Sequence, residues 1–248
     1  MQGELPTENI KERNAGTEVK PAQEFKLGAL QAVPIMMGYF ALSVAYGVLA
    51  RDAGLSILET VAMSVLVYAG AAQFIAVGMF AAAMSPWAII ATTFLVNLRH
   101  LLMSTSLAPY FQRLRLSTLA LLGTGITDET FALNSAELAK KRYHYFFTYG
   151  TNLASYSAWC TGSLVGAVCG SAIPGLDKLP LDFALPAMFI SLLVMQLTDR
   201  LLIITAVLAG TLSLLFAMLL EGNWNIILAT VLAATIAAGW EKWRKNSG

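Results

Sequence analysis

The chain has 248 residues, of which 57% are hydrophobic and only 12% are charged, and its mean hydropathy is +0.64. Soluble domains carry roughly twice this share of charged residues, so the composition excludes an ordinary soluble protein. The net charge of +1 predicts no nucleic-acid partner. We therefore expect an all-α integral membrane protein, a polytopic helical bundle whose main partner is the lipid bilayer.

The first predicted segment, residues 1–26, is polar and mixed in charge, without the apolar stretch of a signal peptide. We expect a mobile cytoplasmic tail, with a short amphipathic surface helix as the alternative. Residues 27–241 are the predicted transmembrane domain, and residues 242–248 a short basic cytoplasmic tail.

Eight apolar stretches are candidates for membrane spans, which need about 20 residues of helix. The fourth is the least apolar, because it carries Asp128, Glu129 and several threonines. It could instead be a re-entrant segment, which would leave seven full spans. The stretches are Gly28–Ala50, Leu58–Ala83, Trp87–Ala108, Leu116–Ala136, Phe146–Gly170, Phe183–Thr198, Leu201–Leu219 and Trp224–Trp240.

The placement of lysine and arginine favours eight spans with both termini in the cytoplasm. Most of these residues, including the basic loop 140–142 and the C-terminal tail, then fall on the inner side. Arg113 and Arg115 fit this topology poorly, and a re-entrant fourth segment would explain them. Pro34 and Pro186 are expected to kink the first and sixth spans.

The second stretch contains small residues around Gly70, between Tyr68 and Gln73. Small residues allow close helix packing, or a break in the helix that exposes backbone dipoles, as in many transporters. Both interpretations stay open. A weak internal repeat relates residues 54–73 to residues 175–196, although chance similarity of apolar segments explains it equally well.

The third and fourth stretches carry charges at their centres, Arg99 and His100 in one and Asp128 and Glu129 in the other. Charges at this depth cost several kcal/mol and are rarely kept without a partner or a function. With a rise of 1.5 Å per residue, Arg99 and Asp128 differ in depth by only about 5 Å. We predict that they meet, either as a structural ion pair or as part of a solute pathway.

The third stretch also carries a polar face, formed by Thr93, Asn97, His100 and Ser104 at helical spacing. Arg99 points away from this face, so the helix is expected to be central, with protein or water almost all round. The His100 imidazole could carry a proton, or be a neutral side chain satisfied by Asn97 or a backbone carbonyl.

The fifth stretch repeats small residues every four positions, which predicts a helix-packing face. Earlier in the same stretch, Asn152 is expected to contribute to a polar cavity. The residues of the small stripe are Ala158, Gly162, Gly166 and Gly170.

At these segments the chain resembles the AzlC family, the larger component of AzlC/AzlD-type branched-chain amino acid transporters. The resemblance covers residues from about 26 to the C-terminus. It implies a bacterial inner-membrane permease that exports branched-chain amino acids with a small, multispanning AzlD-like partner subunit. The motifs that carry it are YAGAAQF (68–74), NLRHLLMSTSLAPY (97–110), GITDETFAL (125–133) and LDFALPAMF (181–189).

We therefore predict a proton-coupled secondary transporter that exports small apolar amino acids, with a passive channel or membrane scaffold subunit as the alternative. Enzyme motifs are not found, and no cofactor or metal is predicted. Arg99 is expected to hold the substrate carboxylate. The other predicted substrate-binding residues are Tyr68, Gln73, Asn97 and Asn152, and the predicted proton-coupling residues are His100, Asp128 and Glu129.

Overall fold

The protein is described here by a computed structural model. Every regular element in the described part of the chain is helical, as the composition predicts. By length and apolar composition, Val33–Asp52, Pro86–Tyr110 and Arg200–Ala217 are each able to cross a membrane. The total of eight spans stays a prediction, since most of the sixth lies outside the described residues. The structure describes residues 20–112, 114–140, 144–170, single positions between 183 and 199, 200–219 and 224–246.

The chain divides into two compact units, residues 1–185 and 186–248. The second contains two helices that pack against each other, α9 (Arg200–Ala217) and α10 (Trp224–Asn246). The first contains α1 (Pro21–Gln31), α2 (Val33–Asp52), α3 (Ile57–Leu66), α4 (Gly70–Ala81), α5 (Pro86–Leu107), α6 (Leu116–Thr124), α7 (Asp128–Ala139) and α8 (Tyr145–Cys169).

The first helix begins at Pro21 rather than at Gly28, so the last residues assigned to the N-terminal tail are helical. It is interrupted at Ala32, where α1 ends and α2 begins. Pro34 follows two residues later and has no backbone N–H to donate. The interruption therefore lies where the proline predicts a kink.

The second predicted span is two helices, α3 and α4, separated by residues 67–69. Tyr68 adopts a positive φ of 45°, a conformation that is uncommon for residues other than glycine. Close packing accompanies the break, because a Cβ atom on Gly70 would lie 2.6 Å from the ring of Trp159. Both properties predicted for this segment are therefore present.

The fourth predicted span is also broken, into α6 and α7, at residues 125–127. Thr127 caps α7, and its backbone N–H donates to the Thr130 hydroxyl at 2.8 Å. Asp128 and Glu129 consequently lie in the first turn of α7, where the helix dipole favours negative charge.

Helix α8 is the centre of the first unit and packs against α1, α2 and α3. Its small-residue stripe lies on α2, as predicted: a Cβ atom at Gly166 would collide with the backbone carbonyl of Val44, and one at Gly162 with the hydroxyl of Ser43. Gly150 meets the backbone of α1 in the same way. These contacts bring helix backbones together at distances that no larger residue allows.

Helix α5 agrees with its predicted bounds within one residue and continues into a 3-10 turn, Ala108–Tyr110. Only 11% of its span is buried among the described residues, and the expectation that protein or water surrounds it almost all round stays a prediction. Its exposed face is apolar and includes Phe94, Leu98 and Leu101. Its other face packs against α4 and α7 and therefore positions the polar residues.

Candidate functional site

The predicted contact between the third and fourth spans is present. Nη1 of Arg99 lies 2.6 Å from Oδ2 of Asp128, and the two side chains are 28% and 18% exposed. Arg99 and Asp128 therefore lie at similar depth, as estimated from the sequence, and the packing of α5 against α7 brings them together. The remaining exposure means that neither charged group is sealed inside the protein. Nε of Arg99 is buried and has no hydrogen-bond partner among the described residues.

Glu129, the neighbour of Asp128 in the sequence, is held by a residue of α2. The Tyr39 hydroxyl donates a hydrogen bond to its carboxylate and lies 2.6 Å from the hydroxyl oxygen of Thr127. Tyr39 is on α2 and is buried. Tyr39 thus holds the start of α7 against α2 and α8, whereas Arg99 holds it against α5.

A cavity of about 740 Å³ lies next to both helix breaks. Three of the predicted site residues line it, namely Tyr68, His100 and Asn152. Arg99, Asn97, Gln73, Asp128 and Glu129 are not among its lining residues. Its size is in the range of pockets that bind small molecules, and most of its wall is apolar or aromatic.

Several polar atoms near the breaks are buried without a hydrogen-bond partner among the described residues. They include the Tyr68 hydroxyl, Nε2 of His100 and Oδ1 of Asn97. The suggestion that Asn97 or a backbone carbonyl satisfies His100 therefore does not hold for Nε2. Buried polar groups are usually hydrogen-bonded, so this concentration of unsatisfied atoms marks a place where water or a solute can bind.

Gln73 belongs to a different environment. It is fully buried, donates to the Ser64 hydroxyl at 3.0 Å and accepts from the indole N–H of Trp159 at 3.0 Å. Ser64 in turn donates to Ser163 at 2.7 Å. These bonds join α3 and α4 to α8 and leave the Gln73 amide with partners inside the protein.

Asn152 combines both environments. Its amide donates to the carbonyl of Leu122 at 3.1 Å and accepts from Asn134 at 3.2 Å, so it bridges the end of α6 to α7. A Cβ atom at Gly125 would lie 2.5 Å from the Asn152 side chain, which explains a glycine at this break. Asn152 therefore contacts both sides of the break between α6 and α7 and also lines the cavity.

Tyr39 and Thr127 are site residues that sequence reasoning missed. A tyrosine in an apolar span is typical of packing, and nothing in the local sequence of Tyr39 indicates an acid as its partner. Thr127 had a signal, since a threonine directly before two acids is typical of a helix N-cap.

Comparisons with known proteins give one matching family model and several relatives. The family model described as AzlC protein matches residues 34–173. The inner membrane protein YgaZ of Escherichia coli K12 is 35% identical over 230 residues, covering 88% of this chain and 92% of that protein. An uncharacterized membrane protein of Archaeoglobus fulgidus is 36% identical over 222 residues, covering 88% and 95%.

A third relative has a name that states a function. The branched-chain amino acid transport protein AzlC of Bacillus subtilis is 28% identical over 198 residues, covering 79% of this chain and 77% of that protein. No solved structure matches the chain. Residues 34–173, which the family model matches, include both helix breaks, Arg99 and the acids of α7.

Proposed function

The chain belongs to the AzlC family, and we propose that it is a secondary transporter that exports branched-chain or other small apolar amino acids across the bacterial inner membrane. The observation that carries the proposal is the Arg99–Asp128 ion pair at the break between α6 and α7, with the solute-sized cavity next to the same break. A zwitterion with an apolar side chain needs charged anchors and an apolar wall, and this region supplies both.

Arg99 is proposed to bind the substrate carboxylate. Its Nη1 is engaged by Asp128 while its Nε is buried without a partner, so the guanidinium still has an unused donor. Arginine binds carboxylates through two parallel hydrogen bonds, and a substrate carboxylate would satisfy this donor. The ion pair keeps the guanidinium neutralised when no substrate is present.

The acids of α7 are proposed to couple transport to protons. Glu129 has no cationic partner among the described residues, and its carboxylate accepts from Tyr39. When substrate takes over Arg99, Asp128 loses its cation as well, so protonation of an acid would lower the cost of that state. His100 is a further candidate because it lines the cavity.

The apolar wall is proposed to select the side chain. Val65, Leu121, Leu153 and Phe146 line the cavity and offer no side-chain hydrogen bonds. Threonine has almost the shape of valine, but its hydroxyl would be left without a partner there. An unsatisfied hydroxyl costs about 1–3 kcal/mol, so valine should be preferred by roughly ten- to a hundredfold.

The test is counterflow of labelled amino acids in liposomes that contain the purified full chain. Leucine, valine, isoleucine and threonine are compared, with and without a pH gradient, and with and without a small AzlD-like membrane subunit. We expect counterflow of the three branched-chain amino acids and little of threonine. Folded protein that moves none of them, with or without the subunit, would falsify the proposal.

A passive channel or a scaffold subunit is the second candidate. It is favoured by one observation, that Arg99 and Asp128 form an ion pair with each other and do not line the cavity. In that case the pair is structural and its removal leaves flux intact, which the double variant Arg99→Met with Asp128→Leu tests.

A further inference from the structure

We propose that Tyr68 and His100, which both line the cavity, bind the ammonium group of the transported amino acid. This inference rests on the proposed function and assigns the amino end of the same substrate. It makes Tyr68 a polar recognition residue.

The two side chains each present one unused polar atom. Tyr68 is only 5% exposed and lines the cavity, yet its hydroxyl has no hydrogen-bond partner among the described residues. Nε2 of His100, in the wall of the same cavity, is also buried without a partner. A buried polar atom without a partner is destabilising, and a bound substrate would supply a partner for both.

The backbone keeps Tyr68 in a demanding position. Its φ of 45° lies in the left-handed region, which is strained for a bulky residue. Its ring is fixed edge-on by Tyr156, at a centroid distance of 4.9 Å, and by Tyr39, at 6.5 Å. The break between α3 and α4 therefore holds one hydroxyl at the cavity, and the surrounding rings leave it little freedom to turn away.

The surroundings favour a cation over an anion. Among the described residues, no aspartate, glutamate, lysine or arginine lines the cavity, whereas several aromatic residues do. Aromatic faces attract cations and repel anions. Glu129 adds to this preference, because Tyr39 carries its hydrogen bond and packs against Tyr68. Arg99 is already matched by Asp128, so Glu129 is the unbalanced charge of the site.

The assignment places the ammonium group on a different side of α5 from the carboxylate anchor. Arg99 and His100 are consecutive on this helix, so their side chains leave it about 100° apart, and His100 lines the cavity whereas Arg99 does not. An amino acid carries its two charged groups on one carbon atom, so a substrate that uses both anchors has to bind at the edge of the cavity nearest to Arg99.

The experiment separates the two ends of the substrate. Competition against labelled leucine is measured on the purified full chain with three compounds: leucine, 3-methylbutylamine, which lacks the carboxylate, and 4-methylpentanoate, which lacks the ammonium group. Tyr68→Phe removes the unused hydroxyl and keeps the ring. We expect it to weaken leucine and the amine about tenfold or more and to leave the acid unchanged.

Tyr156→Phe is the matched control. Tyr156 lines the same cavity, but its hydroxyl donates to the Val65 carbonyl at 2.9 Å. We expect no change in binding of either analogue. His100→Ala should reproduce the Tyr68→Phe pattern, and it keeps the inference testable if Tyr68→Phe does not fold.

The outcomes distinguish this inference from the proposed function. Wild-type protein that binds none of the three compounds contradicts the proposed function itself. Wild-type binding of leucine, combined with a Tyr68→Phe variant that weakens the acid or changes nothing, overturns only the ammonium assignment. So does an amine that fails to compete for the wild-type site.

Discussion

Replacing both members of the Arg99–Asp128 pair separates a structural role from a transport role. Arg99→Met alone leaves the Asp128 carboxylate, which is 18% exposed, without its cation. Removing one partner costs 0–1 kcal/mol for exposed pairs and 3–5 kcal/mol for buried pairs. Because this pair is partly buried, we expect a loss of about 1–3 kcal/mol in the free energy of unfolding.

The double variant Arg99→Met with Asp128→Leu should recover that stability. Apolar residues that replace both members of a partly buried pair are often neutral or stabilising, because neither charge remains to be solvated. Flux should not recover, since a carboxylate anchor worth about 1.5–3 kcal/mol is still missing, which is a loss of roughly ten- to a hundredfold. Arg99→Lys should also impair flux at normal expression, because lysine lacks the planar fork.

The assay combines thermal unfolding of the purified protein with leucine counterflow in liposomes. The matched control is Lys140→Met with Glu137→Leu, which removes the pair at the C-terminal end of α7, whose lysine is 57% and glutamate 12% exposed. It should change stability by less than about 1 kcal/mol and leave flux unchanged. Wild-type flux in the stable Arg99 and Asp128 double variant would refute the anchor role and leave the structural pair.

Three further changes test the surroundings of the site by unfolding and flux measurements. Gln73→Ala leaves the buried indole N–H of Trp159 without its acceptor, takes one of two hydrogen bonds from Ser64 and should cost about 2–4 kcal/mol, and a fully stable variant would contradict the buried network. Gly150→Ala collides with the backbone of α1 and should cost about 1–3 kcal/mol, whereas Gly78→Ala, with open space around it, should cost nothing. Tyr39→Phe removes the donor to Glu129 and should reduce flux driven by a pH gradient more than counterflow at equal pH; equal reductions would argue against proton coupling there.

The sequence predicts the bounds of some continuous helices well, although α10 ends at Asn246 and not at the predicted Trp240. The predicted bounds of α5 and α8 agree within about one residue, because apolar runs of this length end at clear turn signals. The two breaks were less accessible. Hydropathy averages over them, and the geometry at Tyr68 depends on contacts with Tyr39 and Tyr156, which are far away in sequence.

For the site, charge and depth predict the Arg99–Asp128 contact, because an unpaired charge in an apolar span is costly. Periodicity predicts less. It places His100 and Asn97 on one face of α5 but does not show that the opposite face is open. Nor does it distinguish Gln73, whose amide is hydrogen-bonded within the protein, from Tyr68, whose hydroxyl has no hydrogen-bond partner among the described residues. These differences arise from packing between helices, which a single sequence does not encode locally.

The glycine contacts of α8 determine which parts of the first unit can move. Where two backbones touch, as at Gly150 and Gly166, no side chain lies between them to change rotamer and let one helix slide along the other. Helices α1, α2 and α8 therefore behave as a fixed frame. Within the first unit, any rocking motion that admits a solute from alternate sides of the membrane would therefore involve α5 and the short helices α3, α4, α6 and α7.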